Sequence, residues 1–421
     1  MRCLASSDVV SEPLDPQHSE PADCCNILSA SPITRAQLIL YCVLAFFQYC
    51  PGSHTAGSPF LSIIPRRYSE LKVQNIFTMP TIKVPFICPR CKGALAAEPA
   101  SYRCRHCGSK YPVLFGIADF RTRSDRYLSL EEERDKARRL FEFGEHAPFN
   151  ELVRYYYSIT FDLPDNMARR YQASILAGTE RAKSILKELT ARGGSDVLVD
   201  IGCGTGGLLL AAQGRFSGIY GIDIALRWLV IAQKRLHENN AKATLVCADA
   251  EAMPFPQQSF ATAVAVDLLE HVYDVDNTIG EIGEILKPDG VLWLSAVNRY
   301  CLGPHPLTGV WAIGYLPAGP RSWVLKKLIG IDLLRFANMV SPGEVCRKLR
   351  HRGFVALQAS PKRVDGIDAH AYSKLERILI ALYRSALRVP LFCRILLWIG
   401  PAFEIVSRKS ENPPEVLRVK T

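Results

Sequence analysis

The run Val-Leu-Val-Asp-Ile at 197–201 places an acid, Asp200, just before a break into glycines at 202, 204, 206 and 207. An apolar stretch at 208–212 follows at once. Glycines at a strand-to-helix turn let backbone amides approach a nucleoside ligand, because no Cβ stands in the way. Gly202, Gly204 and Gly207 also fit the G-x-G-x-x-G spacing that holds a dinucleotide pyrophosphate, with Asp223 at the distance of a ribose-binding acid. The turn alone therefore admits two kinds of cofactor.

A second chemistry lies upstream. Cys88 and Cys91 form one C-x2-C pair and Cys104 and Cys107 another, with Gly93 and Gly108 close behind the second cysteine of each. Four thiolates on tight turns make a tetrahedral zinc site, and a site closed by four protein ligands is structural rather than catalytic. His106, between two ligands, reads as a surface residue. The other cysteines are scattered singly through the later chain or fall in 1–78, which suits a reducing compartment rather than a disulfide framework.

These residues must be positioned by something, and the pattern after the glycine turn says what. Strands are expected at 219–224, 243–249, 260–267 and 291–297, with helices at 225–238 and 277–286 between them. This alternation predicts an α/β fold with a doubly wound, mostly parallel sheet of seven strands, preceded by the small zinc module. Ligands of such sheets sit at the carboxyl ends of the strands, which is where Asp200, Asp223, Asp249 and Asp267 fall.

The order Val-Asp-Ile-Gly-Cys-Gly-Thr-Gly, Gly-Ile-Asp-Ile, Ala-Asp-Ala-Glu-Ala-Met-Pro-Phe, Asp-Leu-Leu-Glu-His-Val and Leu-Lys-Pro-Asp-Gly-Val-Leu resembles class I S-adenosylmethionine-dependent methyltransferases over 197–298. A nicotinamide enzyme has no need of the last three motifs. The resemblance implies that Asp200, Gly202, Gly204 and Gly206 approach the methionine moiety of S-adenosyl-L-methionine and that Asp223 accepts the ribose hydroxyls. It places Asp249 and Ala250 at the adenine, with Met253 close by, and Asp267 on the strand nearest the transferable methyl. An oxygen or carbon acceptor can require a base, and His271 is the candidate, with Glu270 a weaker candidate to orient it. A helix-start histidine bonded to backbone is the competing reading. Methyltransferases of exocyclic base amines carry Asn/Asp-Pro-Pro-aromatic at this strand end. Here Asp-Leu-Leu-Glu-His stands instead, as in quinone, lipid and small-molecule methyltransferases. Residues 86–121 resemble the small zinc ribbon found beside many methyltransferases, which implies a fused accessory domain.

The organisation expected is a leader or non-native extension at 1–78, the ribbon at 79–121, a helical linker at 122–194, and the cofactor core at 195–298. A lid insertion at 299–340 and a C-terminal part at 341–421 follow. His305, Trp311 and Tyr315 in the lid face two readings, substrate contact or plain packing. The apolar run at 36–50 is short for a membrane span, and the segment before it is acidic apart from Arg2 and Arg35, unlike a secretory signal.

The net charge of +10 is unevenly placed, since residues 299–421 hold 20 Lys/Arg against 8 Asp/Glu. Within them a basic amphipathic insertion at about 366–400 fits either an interfacial membrane contact or a helical pair packed on the sheet or a partner. The leading reading is O-methylation of a small-molecule or lipid-linked acceptor by a cytoplasmic protein with peripheral membrane contact. An rRNA or tRNA methyltransferase using the ribbon and the basic third is the alternative, nucleic acid being the less favoured partner. An inactive cofactor-binding scaffold is a third reading.

Overall fold

The computed structural model describes residues 83–160, 165–194, 196–364 and 374–410. The leader expected at 1–78 and the first part of the basic insertion lie outside them.

Central strand β5 (Val197–Ile201) is buried along its whole length. Its side chains alternate between two cores, with Val197, Val199 and Ile201 facing one and Leu198 the other. Only a strand covered on both faces can be buried throughout. Parallel neighbours are β6 (Gly218–Asp223) and β8 (Phe260–Val266); β6 leads on to β7 (Thr244–Cys247) and β8 to β9 (Leu286–Val297). Beyond β9 lie β11 (Ala402–Lys409) and β10 (Phe354–Pro361), both paired antiparallel.

One face is covered by α1 (Leu130–His146), α2 (Phe149–Ser158), α4 (Gly178–Ala191), the short α5 (Gly207–Ala211) and α6 (Leu226–Glu238). The other carries α7 (Val275–Ile285) and α9 (Pro342–His351). Ser129 caps α1 in a complete capping box with Glu132, as its sequence predicts. Ser341 caps α9 through the amide of Glu344, with proline in the first turn. The helical pattern from 165 onward is broken at Ala177, so α3 (Asp165–Leu176) and α4 are separate helices.

The strand count corrects the expectation. Among the described residues the sheet has eleven strands, in the order β1-β2-β3-β4-β7-β6-β5-β8-β9-β11-β10. The four extra ones come from the cysteine module: β1 (Leu95–Glu98), β2 (Ser101–Cys104), β3 (Lys110–Leu114) and β4 (Ile117–Asp119). They form an antiparallel meander whose last strand lies parallel to β7, with Ala118 opposite Val246 and Asp119 opposite Cys247. An unpaired β7 would present open amides and carbonyls along a sheet edge, and β4 satisfies them. A second difference concerns Leu286-Lys-Pro-Asp-Gly290. It lies inside β9, looped out between the Phe260–Leu286 and Thr262–Val291 pairings.

The lid expected at 299–340 has a small core of its own, Ile313, Leu325 and Leu334, and a helix, α8 (Ala318–Ile329). The insertion between β10 and β11 folds as two helices, α10 (Lys374–Ala386) and α11 (Pro390–Ile399). Among the described residues no helix is long and apolar enough to cross a membrane.

Candidate functional site

The glycine turn is held open by its own backbone. Gly202, Gly204 and Gly206 all have positive φ, the region in which a side chain is strained. A Cβ at Gly204 would meet nothing within 4 Å, so open space stands above the turn. Asp223, at the end of β6, accepts the Gly204 amide at 2.9 Å on one oxygen and the Ala225 amide at 2.8 Å on the other. Desolvation still raises this acid to about 6. Asp200 is buried beside it and raised to about 8, by burial first and then by the Asp223 charge. Two acids and an open glycine cradle suit a ligand that brings positive charge and hydroxyl donors, which S-adenosylmethionine does.

Asp249 follows β7 and is engaged on both oxygens. One accepts the Glu251 amide at 2.9 Å and the other pairs with Arg123. Arg123 also reaches Glu251 at 2.9 Å, and its guanidinium lies 4.1 Å from the centre of the Tyr273 ring. It arrives from the segment just after β4, so the chain leaving the cysteine module lends a residue to this corner. The same segment sends Arg121 to the Ile224 carbonyl at 3.2 Å and Asp125 to the buried Arg227 at 2.8 Å. Ala250 and Met253 are buried beside this corner, Met253 within the core.

At the end of β8, Asp267 takes a left-handed backbone at φ 50°. Its carboxylate accepts the Ser295 hydroxyl at 2.8 Å and the Lys362 ammonium at 2.5 Å on each oxygen. Desolvation alone would raise the acid, yet Lys362 and Ser295 hold it below the usual carboxylate range. His271 sits one turn further on, its amide bonded to the Leu268 carbonyl at 2.9 Å. Its Nδ1 lies 2.8 Å from the Tyr127 hydroxyl. Desolvation and the nearby Arg126 charge lower the imidazole from its ordinary value, although the residue as a whole is exposed.

Glu270 does not orient His271. It is 1% exposed and turns into the core, accepting the Val297 amide at 2.5 Å, with burial raising it to about 7. Tyr127 takes the place expected of it. In the lid, Trp311 and Tyr315 are exposed, whereas His305 is buried with neither ring nitrogen partnered among the described residues.

Away from this site, the Sγ atoms of Cys88, Cys91, Cys104 and Cys107 lie within 4.8 Å of one another and could hold a metal ion. The pairs Cys88–Cys107 and Cys91–Cys104 are 3.6 and 3.5 Å apart, near the roughly 3.8 Å edge of a zinc–thiolate tetrahedron. The His106 and Cys107 amides both donate to Cys104 Sγ at 3.4 Å. His106 is exposed and outside the cluster.

The four acids lie at the carboxyl ends of the adjacent strands β7, β6, β5 and β8. Lys362, Arg123, Tyr127 and Ser295 were not foreseen. The alternation Asp119, Arg121, Arg123, Asp125 is the one signal in the sequence that could have flagged the second of these.

Residues 199–294 match the family described as "Methyltransferase domain". The ubiquinone biosynthesis O-methyltransferase of Thiobacillus denitrificans is 28% identical over 183 residues, covering 43% of this chain and 72% of that protein. Its counterpart in Coxiella burnetii is 30% identical over 135 residues, 32% of this chain and 56% of the relative, so the match spans little more than half of that protein. Among solved structures, phosphoethanolamine N-methyltransferase 2 of Haemonchus contortus is 17% identical, covering 52% of this chain and 49% of that one at a TM-score of 0.34. The chain carries a class I S-adenosylmethionine-dependent methyltransferase domain.

Proposed function

We propose that this protein methylates an oxygen atom of a small-molecule or lipid-linked acceptor, with a structural zinc ion in the four-thiolate cluster. When bound, S-adenosylmethionine supplies a sulfonium methyl that is already electrophilic. The protein's part is then to orient the acceptor and manage its proton.

On this reading Asp223 accepts the ribose hydroxyls, and Asp200 with the Gly202–Gly206 turn faces the methionine moiety. Asp249 and Ala250 flank the adenine. His271 is the base: Tyr127 engages Nδ1, leaving Nε2 for an acceptor hydroxyl. Lys362, beside Asp267, favours an acceptor oxygen that becomes anionic.

The observation that carries the reading is the Lys362–Asp267 pair with His271 one turn further on, in the place where base-amine methyltransferases keep Pro-Pro-aromatic. Support comes from the similar proteins, which are ubiquinone biosynthesis O-methyltransferases.

Two measurements test it. Calorimetry should find S-adenosylmethionine binding that Asp223→Ala removes. An untargeted comparison of wild-type and deletion extracts should then find an O-methylated product missing. A missing methylated nucleotide would instead favour RNA as acceptor, and no donor binding would leave only a scaffold.

A further inference from the structure

Among the described residues, helices α10 and α11 leave large apolar side chains exposed. On α11, Leu391, Phe392, Ile395 and Trp398 recur at helical spacing and share one face. Leu391 is 64% exposed and Trp398 55%. On α10, Ile378 and Leu382, one turn apart, are exposed as well, at 58% and 61%. A patch of contiguous large apolar side chains is unusual on a protein that stays in water.

The charges around it choose the occupant. α11 contains no acid, and the only acid of α10, Glu376, is engaged by Arg170 at 2.7 Å. Arg377, Arg388 and Arg394 are exposed, and among the described residues no carboxylate pairs with them. Apolar faces ringed by cations and lacking acids match an anionic lipid surface, where the rings and aliphatic chains sit in the acyl boundary and the guanidinium groups meet phosphates. Neither helix is long enough to span, so the contact would be interfacial.

The patch also hangs from the reaction end of the sheet. Asn298, just past the carboxyl end of β9, donates to the Trp398 and Gly400 carbonyls at 2.8 and 3.1 Å. The Leu302 amide donates to the Ile399 carbonyl at 3.0 Å. On the other helix, the Tyr383 hydroxyl donates to the Lys362 carbonyl at 2.9 Å, and Lys362 is the residue that pairs with Asp267. A surface seated on α10 and α11 therefore lies next to the loops that border the strand-end acids.

We propose that the α10–α11 hairpin is a membrane-docking element that seats on anionic lipid and holds the mouth of the site at the bilayer surface. This stands apart from the identity of the methyl acceptor.

Flotation of the full chain tests it, using phosphatidylcholine vesicles with and without phosphatidylglycerol. The chain should float with the anionic vesicles and less with the neutral ones. Leu391→Glu and Trp398→Glu should each cut vesicle partitioning by about tenfold or more, the loss expected from removing one buried apolar side chain. Arg388→Glu should weaken binding to anionic vesicles and leave the neutral ones little changed. Unaltered thermal melting of each variant shows that the fold is kept. Failure of the full chain to float overturns the proposal. So does flotation that the three variants leave intact, since another segment would then carry it. A Leu391-dependent dimer in light scattering without flotation would assign the face to a second copy of the chain instead. Donor binding, measured separately, is untouched by any of these outcomes.

Discussion

Lys362 places its ammonium 2.5 Å from both carboxylate oxygens of Asp267, across 95 residues of sequence. The acid at the end of β8 is thus tied to the end of β10, three strands away in the order of the sheet. A carboxylate so neutralised has no spare charge to repel an anionic acceptor, and the ammonium keeps a side open to one.

Lys362→Met should therefore lower methyl transfer by about tenfold to a thousandfold, the range for losing one charged stabiliser of a developing oxyanion. Donor affinity should stay close to that of the wild type. Single-turnover rates beside calorimetry separate the two. Equal losses in rate and donor affinity would place Lys362 in cofactor binding instead.

Asp223 carries a pH prediction of definite sign. It is raised to about 6, and its ionised form is the one that accepts ribose hydroxyls. Affinity for S-adenosylmethionine should fall as pH drops through about 6. Ligand-free stability should run the other way. Asp200 and Asp223 bind protons more tightly when folded, so melting temperature should rise as pH falls from 8 towards 6 on their account. Asp200→Asn should flatten that rise, and melting curves at fixed ionic strength check it.

The strands and their acids were legible because a buried parallel sheet writes itself as short β-branched runs with an acid or glycine at each carboxyl end. The position of the glycine turn, the starts of α1 and α9, and the strand-end places of Asp223 and Asp267 all follow from such local signals. Pairings between distant segments do not. Nothing in Ile117-Ala-Asp119 announces a parallel partner at 246–247, so a seven-stranded sheet was expected where eleven strands form. Lys362 and Arg123 escaped notice for the same reason, since each acts on an acid far along the chain. Glu270 misled because its neighbour His271 suggested a pair, while the turn points the two side chains apart.

His271 should show its role in the pH profile of the rate. His271→Ala should lower turnover by about a hundredfold to ten-thousandfold and remove the acidic limb of the profile. Tyr127→Phe should shift that limb with a much smaller loss. A His271→Ala enzyme with an unchanged profile would make this residue structural.

Zinc should be present at one ion per chain by elemental analysis, and Cys104→Ser should abolish it. Because β4 seals the edge of β7, the variant should lose stability by several kcal/mol, a modest share of what structural zinc contributes to small domains. Donor affinity should weaken as well, since Arg123 would no longer be anchored beside Asp249. Chelation of the wild type should reproduce both effects.

The pairing of β4 with β7 also sets an order of events during synthesis. The ribosome delivers β4 well before its partner, since Ala118 pairs with Val246, 128 residues later. The four cysteines lie close together in sequence, so they can close around an ion while β7 does not yet exist, leaving longer-range contacts such as Ile87 to Pro254 for later. The nascent chain then carries a finished strand edge waiting for the last parallel strand on that side. Metal supply at translation would thereby govern how the large domain completes its folding.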